Sequence, residues 1–202
     1  MSQSPFAKQI SNRNYMSPVG FKFILSKAPK VDFMCQSANI PSISMGTAVQ
    51  ASYLKDIAVP GDKVLYDDLN LRFLIDENME NYLQIYKWIT GLGYPESIEQ
   101  YNTLKSEDPY SVINDVDRTD PRYFESSDAT LQILNSNYQP NILVKFKDVF
   151  PTSLSTLEFD VSDRDYSFFT AQVSFKYTIY EITDRNGVRL DNKPTLGDPR
   201  WF

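Results

Sequence analysis

The chain of 202 residues contains no histidine and one cysteine, Cys35. Without histidine it cannot by itself build a serine–histidine triad, a cysteine–histidine dyad or a histidine-ligated zinc site. A single cysteine forms no intrachain disulfide, so nothing points to an oxidising compartment. Only seven glycines are present, and none is spaced as in a phosphate-binding or dinucleotide-binding loop. We therefore expect no enzyme activity and no cofactor.

Long apolar runs are also missing. No stretch approaches eighteen consecutive apolar residues, and the opening Met-Ser-Gln-Ser-Pro has no apolar signal-like region. We expect a protein that is made in a cytoplasm and does not associate with a membrane.

The residues that are present predict a folded, acidic protein. Apolar residues make up 42% of the chain and aromatic residues 14%, enough for a core, and the net charge is −6. Residues 1–30 carry five bases and no acid, whereas residues 95–128 carry nine acids and three bases. With no basic stripe, the chain is a poor candidate for gripping DNA.

Alternating apolar residues predict strands along most of the chain. We expect one hairpin from residues 19–27 and 31–36, a strand at 68–75, a second hairpin from 129–134 and 142–147, a short strand at 157–161 and a long final strand at 169–180. The mixed polarity from Thr47 to Val59, ending at Pro60-Gly61, is typical of an edge or a projecting hairpin.

One segment has the period of a helix. Asp76 is a plausible N-cap for a helix over 77–92. Its predicted buried face contains Met79, Tyr82, Leu83, Tyr86 and Ile89. The fold class is then mainly β (α+β): an antiparallel β-sandwich or barrel with one principal flanking α-helix. We expect a single domain over 1–202, with an acidic insertion at about 94–127 and an extended C-terminal tail at about 183–202.

Small polar clusters suggest no catalytic or metal site. Asp62, Asp67 and Asp68 could form a paired-carboxylate site, but their position at strand ends favours turns. Asp115 to Asp120 resembles the opening of a calcium loop without its glycine or its final glutamate, which favours a solvated loop. Asp163-Arg164-Asp165 is interpreted as a turn, and Cys35 as a small buried hydrophobe.

The polar side of the final strand permits two interpretations. Gln172, Ser174, Lys176 and Thr178 alternate with apolar residues. The simpler interpretation is the solvated side of a half-buried sheet. The alternative is a wet inner surface of a larger assembly.

The order of several motifs resembles that of the tail tube proteins of contractile-tailed bacteriophages. The motifs are Phe33-Met-Cys35-Gln-Ser-Ala38-Asn-Ile-Pro41, Val59-Pro-Gly61-Asp62-Lys followed by Tyr66-Asp67-Asp68, the strand ending in Asp76-Glu77, the helix with Trp88, and Val149-Phe-Pro151-Thr152-Ser with Leu157-Glu-Phe-Asp160. The resemblance implies six copies in a ring, and rings stacked into a tube inside a contractile sheath. DNA would pass through the lumen without specific binding.

The resemblance also implies roles for residues. Segment 42–60 matches a projecting hairpin that contacts neighbouring subunits, with Met45, Val49, Tyr53, Lys55 and Ile57 as the predicted contacts. Strands near 48–58, 69–75, 142–147 and 169–180 are candidates for the inner wall, with Gln172, Ser174, Lys176 and Thr178 facing the lumen. The implied partners are the tail sheath protein and the baseplate and tail terminator proteins. The implied location is the virion tail, assembled in the bacterial host cytoplasm.

Two alternatives within the family stay open. The acidic insertion and the C-terminal tail are longer than the simplest tube subunit needs, so the chain could instead be a baseplate tube-initiator or tube-terminator ring protein. A type VI secretion-like tube protein is the other alternative. Outside the family, a monomeric binding module would use the insertion to hold a partner.

Overall fold

The computed structural model describes residues 16–106, 125–159 and 168–190. These residues form nine strands: β1 (Phe21–Leu25), β2 (Cys35–Ala38), β3 (Ile43–Gln50), β4 (Ile57–Tyr66), β5 (Leu69–Leu74), β6 (Ser127–Leu134), β7 (Pro140–Leu154), β8 (Thr170–Lys176) and β9 (Ile179–Asp184). They also form three helices: α1 (Pro29–Phe33), α2 (Glu80–Gly93) and α3 (Ile98–Ser106).

Seven of the strands form one antiparallel sheet in the order β1-β6-β7-β8-β5-β2, and β9 also pairs with β7. The 15-residue β7 links two halves of this sheet, because residues 142–147 pair with β9 and residues 150–154 pair with β8. Strands β3 and β4 form a separate two-stranded sheet. The mainly β, antiparallel fold class with one principal helix is confirmed.

Alternate residues of the sheet build the core. The apolar strand residues with almost no exposed surface are Phe23, Leu25, Leu69, Leu71, Phe73, Ala129, Leu131, Val144, Phe146, Val149, Ala171, Val173 and Phe175. Helix α2 adds Ile85 and Trp88, and the Trp88 ring lies 6.1 Å from that of Phe175. The Trp88 Nε1 donates a hydrogen bond to the Glu125 carbonyl oxygen at 2.9 Å, so its polar atom is satisfied.

Helix α2 begins later than predicted, so its N-cap residue is Met79 and not Asp76, but the Asp76 side chain still accepts hydrogen bonds from the first turn of the helix. The chain turns through left-handed Met79 (φ 55°) before the helix. The Asp76 carboxylate accepts hydrogen bonds from the backbone N–H groups of Asn81 (3.0 Å) and Glu80 (3.1 Å). These bonds, with that from Asn81 largest, lower the pKa of Asp76 because they favour the charged carboxylate.

The predicted buried face of α2 is partly wrong. Leu83 and Tyr86 are exposed, whereas Asn81, Ile85 and Trp88 are buried. The shift has a polar cause: the buried Asn81 amide donates to the Leu74 carbonyl oxygen at 2.7 Å. Because asparagine is polar, a prediction from hydrophobicity assigns Asn81 to the solvent-facing side of the helix. The predicted buried face is therefore rotated about the helix axis relative to the observed one.

The first predicted hairpin is wrong. Residues 29–33 form helix α1 instead of a strand, and Val31 is buried within it. β1 pairs with β6, and β2 pairs with β5. Pro29 explains the change, since proline is well tolerated in the first turn of a helix.

The long final strand is interrupted at residues 177–178. β8 and β9 follow one another along the same edge of β7, and the Thr178 N–H donates to the Lys147 carbonyl oxygen at 3.0 Å. Asp148 has φ 56° opposite the interruption. Beyond it, Ile182 packs against the core and Ile179 is exposed, which reverses the predicted alternation.

The remaining predictions have mixed outcomes. The strand at 68–75, the helix and the second hairpin are confirmed. Residues 157–159, the described part of the predicted strand 157–161, are not in a strand. Within the acidic insertion, residues 98–106 form α3, and the tail contributes the end of β9. The predictions for Asp115 to Asp120, for Asp163-Arg164-Asp165 and for tail residues 191–202 lie outside the described residues.

Candidate assembly interface

Strands β3 and β4 form an arm, residues 43–66, that projects from the main sheet. Every residue of β3 and of the connection 51–56 is exposed. The predicted projecting hairpin is therefore confirmed, and it is longer than predicted because β4 continues through Pro60-Gly61 to Tyr66.

The arm exposes an unusual amount of apolar surface. Its exposed large apolar residues are Ile43, Met45, Val49, Tyr53, Leu54, Ile57, Val59, Val64 and Leu65. Tyr53 and Leu54 at the tip are 101% and 90% exposed. So many exposed apolar side chains on one small element of a folded protein mark an interaction site.

All five predicted contact residues, Met45, Val49, Tyr53, Lys55 and Ile57, lie on the arm with exposed side chains. Sequence reasoning missed Ile43, Val64 and Leu65 on the part of the arm nearer the main sheet. Their signal was available, since Ile43 and Met45 alternate with serines and Val64-Leu65 is an apolar pair. Their role in contacts stays a prediction.

An aromatic cluster anchors the arm to the main sheet. The Tyr66 ring, at the end of β4, lies 6.1 Å from the Tyr177 ring and 5.6 Å from the Tyr180 ring. The Phe146 ring packs against the rings of Tyr177 and Tyr180, with centroid distances of 5.2 and 5.7 Å. Burial is the largest cause that raises the pKa of Tyr177 to about 12. Within the described part of the chain, its buried hydroxyl has no hydrogen-bond partner.

The acidic residues beside the arm serve local structure. The Ser42 hydroxyl donates to the Asp67 carboxylate, and the Asp67 N–H donates to the Ser42 carbonyl oxygen at 3.1 Å. Asp68 forms an ion pair with Lys176, and Asp62 is exposed on β4. Among residues 16–106, 125–159 and 168–190, no group of three or more potential ligands could hold a metal ion.

The predicted lumen-facing residues Gln172, Ser174 and Lys176 lie on the outer side of β8, opposite the buried Ala171, Val173 and Phe175. Thr178 lies in the interruption after β8, and it is exposed. The structure therefore brings three of the four residues into one polar row.

A hydrogen-bond network fixes this polar face. The Ser174 hydroxyl donates to Asn70 Oδ1 at 2.6 Å, and the Asn70 N–H donates to Asn39 Oδ1 at 2.6 Å. Lys176 is neutralised by Asp68, while Arg72 on β5 is exposed in register with Gln172. The face is therefore polar and ordered.

The predicted inner-wall segments divide between parts of the fold. β5 and β8 lie side by side, while residues 142–147 belong to the half of β7 that pairs with β6 and β9. Residues 48–58 lie on the arm. Their placement in a common wall stays a prediction.

Cys35 is half-buried beside the core, and its Sγ donates to the Ser37 carbonyl oxygen at 3.5 Å. Burial is the largest cause that raises the pKa of the Cys35 thiol to about 11. The thiol is therefore protonated at neutral pH, which does not suit a nucleophile. Within the described ranges, no helix is long and apolar enough to cross a membrane.

Comparison with protein families gives a match over almost the whole chain. The family described as "Phage tail tube protein" matches residues 2–183. The tail tube terminator protein of Enterobacteria phage T4 is 26% identical over 124 residues. That alignment covers 61% of this chain and 60% of the T4 protein, so the match spans about three fifths of the relative.

Solved structures share the fold. The tube-terminating cap of the anti-feeding prophage has a TM-score of 0.56 and 15% identity, covering 90% of this chain and 99% of the cap chain. A chain of the baseplate of the same prophage has a TM-score of 0.52 and 10% identity, covering 81% and 91%. At these identities the likeness shows the fold alone.

Proposed function

Since the chain belongs to the phage tail tube protein family, we propose that it is a structural protein of a contractile phage tail that forms the ring terminating the tail tube. The match to the T4 tail tube terminator over 124 residues carries the choice of position along the tube. The exposed apolar arm supplies a surface for the assembly.

The proposed ring is built from copies of this chain in a head-to-tail arrangement. The arm and the surface that it covers are different parts of the chain, so the contact is heterologous and closes only if the rotation between copies completes a circle. Six copies is the proposed number. Met45, Val49, Tyr53, Lys55 and Ile57 are the proposed contacts.

The polar row on β8 is the proposed lining of the ring. Gln172, Ser174 and Lys176 offer DNA an ordered polar surface, and Asp68 neutralises the lysine. Arg72, in register with Gln172, adds one exposed positive charge to this face, so the proposed lining attracts phosphates only weakly and DNA can pass without being held. The proposed partners are the tube, the sheath and the baseplate of the same tail, in the virion, after assembly in the host cytoplasm.

The repeating tube subunit is the second candidate. The family match over residues 2–183 supports this second candidate, because the family is described as the phage tail tube protein. A terminator forms a single ring that does not elongate, whereas a repeating subunit stacks ring upon ring.

The test is an elongation assay read by negative-stain electron microscopy. The purified chain is concentrated alone, and it is then added to growing tubes of the repeating tube protein from the same phage. We expect single rings alone and shorter, capped tubes in the mixture. Long tubes formed by this chain alone would favour the repeating subunit, and monomers at every concentration would contradict both candidates.

A further inference from the structure

The arm has an irregular point in its middle. Met45 pairs with Val64, and the next pair is Thr47 with Pro60. Between these pairs β3 contributes only Gly46, while β4 contributes Gly61 and the two residues after it. The β4 strand therefore carries two extra residues at this point, and such bulges bend a strand and increase its twist.

The two glycines come into close contact at the bulge. A Cβ atom built on Gly61 would lie 2.5 Å from the Gly46 carbonyl oxygen and 3.0 Å from its carbonyl carbon. Both obstructing atoms belong to the backbone, so they cannot move aside like the end of a side chain. A Cβ built on Gly46 would meet nothing within 4 Å. The contact thus requires glycine at one position only.

The bulge separates an anchored part of the arm from a free part. On the anchored side, Tyr66 packs into the aromatic cluster of the main sheet. On the free side lie the exposed Val49, Ile57 and the tip residue Tyr53. Two-stranded ribbons twist more than wide sheets do, so the angle at the bulge decides where the tip points.

We propose that Gly61 is a positioning residue for assembly: its close packing on the Gly46 carbonyl group sets the direction in which the arm presents its apolar tip to the next copy of the chain. This proposal rests on the proposed ring. It acts through the backbone angle of the arm, because Gly61 itself offers no side chain to a partner. Pro60 fits the same site, since proline in sheets is found at bulges and edges.

The test compares Gly61→Ala with Gly46→Ala, which adds the same methyl group to the other member of the contact. Spin labels are placed at Gln50→Cys on the arm and Asn137→Cys on the β6–β7 turn, in a Cys35→Ser background. Electron–electron double resonance then measures the distance between arm and sheet. Urea unfolding reports whether the core is intact, and electron microscopy counts rings.

For Gly61→Ala we expect a displaced distance maximum, an unchanged core transition and a loss of rings. For Gly46→Ala we expect the wild-type distance and wild-type rings. An unchanged distance in Gly61→Ala, a broad distribution from a melted arm, or a weakened core would each overturn the proposal. Absence of rings from the wild-type protein would instead contradict the proposed function, and the distance comparison would still decide whether Gly61 directs the arm.

Discussion

The exposed apolar side chains of the arm should govern assembly and leave the folded subunit unaffected. The variant Met45→Ser, Val49→Ser, Ile57→Ser tests this claim. Their side chains are 54%, 66% and 52% exposed in the isolated subunit. Substitutions at such exposed positions change the free energy of unfolding by less than about 0.5 kcal/mol each.

The effect on assembly follows from the same exposed fractions. Full burial of a methionine, valine or isoleucine side chain stabilises by about 1.5–3 kcal/mol, so covering the exposed half contributes about 1 kcal/mol for each residue. The three substitutions together should weaken each contact between subunits by about 3 kcal/mol. Association between neighbouring copies then falls about 100-fold.

Sedimentation velocity over a concentration series measures this change. We expect the triple variant to remain monomeric at concentrations where the wild-type protein forms rings. The matched control is Met16→Ser, Val19→Ser, Val188→Ser, whose residues are 61%, 79% and 61% exposed and lie away from the arm. If the arm variant assembled like the wild type, or if the control lost assembly equally, the assignment of the arm as the interface would be refuted.

Three further predictions concern the subunit fold. Phe175→Ala should lower the free energy of unfolding by about 3–5 kcal/mol in urea, since this side chain is fully buried, and Phe168→Ala, 85% exposed, should not; less than about 1 kcal/mol for Phe175→Ala would show that the core face is misassigned. Asp76→Ala should lower the thermal midpoint at pH 7, where the depressed-pKa carboxylate is charged. This deficit should shrink as the pH falls from about 4 through the lowered native pKa of Asp76, because the unfolded chain takes up the proton first and gains stability relative to the folded one; an equal deficit at pH 3 would contradict the capping role. Gly91→Ala should destabilise the packing of α2 on α3, since its new Cβ would lie 2.9 Å from a side chain of α3, while Gly93→Ala meets open space; equal thermal midpoints would argue against this close packing.

Regular alternation was a sound guide where a strand crosses the core without interruption. β5 shows this, because Leu69, Leu71 and Phe73 are all buried as their spacing predicts. The same rule failed after Tyr177. The interruption opposite Asp148 shifts the alternation by one residue, so the residues predicted to face the core turn away from it. Such an irregularity depends on a pairing between distant segments, so no local pattern contains it.

The candidate interface could also be predicted only in part, because one of its features depends on a contact between distant residues. The mixed polarity of 47–59 indicated a segment without a buried face, and the structure places it on the arm. The sequence pattern predicts that this segment ends at Pro60-Gly61, since proline and glycine commonly stop strands. Their actual place at a bulge depends on the contact with Gly46 across the arm, which lies fifteen residues earlier in the chain.

The most direct test of the account is the mass and shape of the purified protein in solution, measured by native mass spectrometry and negative-stain electron microscopy on the same sample. We expect closed rings of about 140 kDa, six copies of the 23.3 kDa chain, that remain single as the concentration rises. A monomer of 23.3 kDa at all concentrations, with no ring in the images, would contradict the assembly role that we propose.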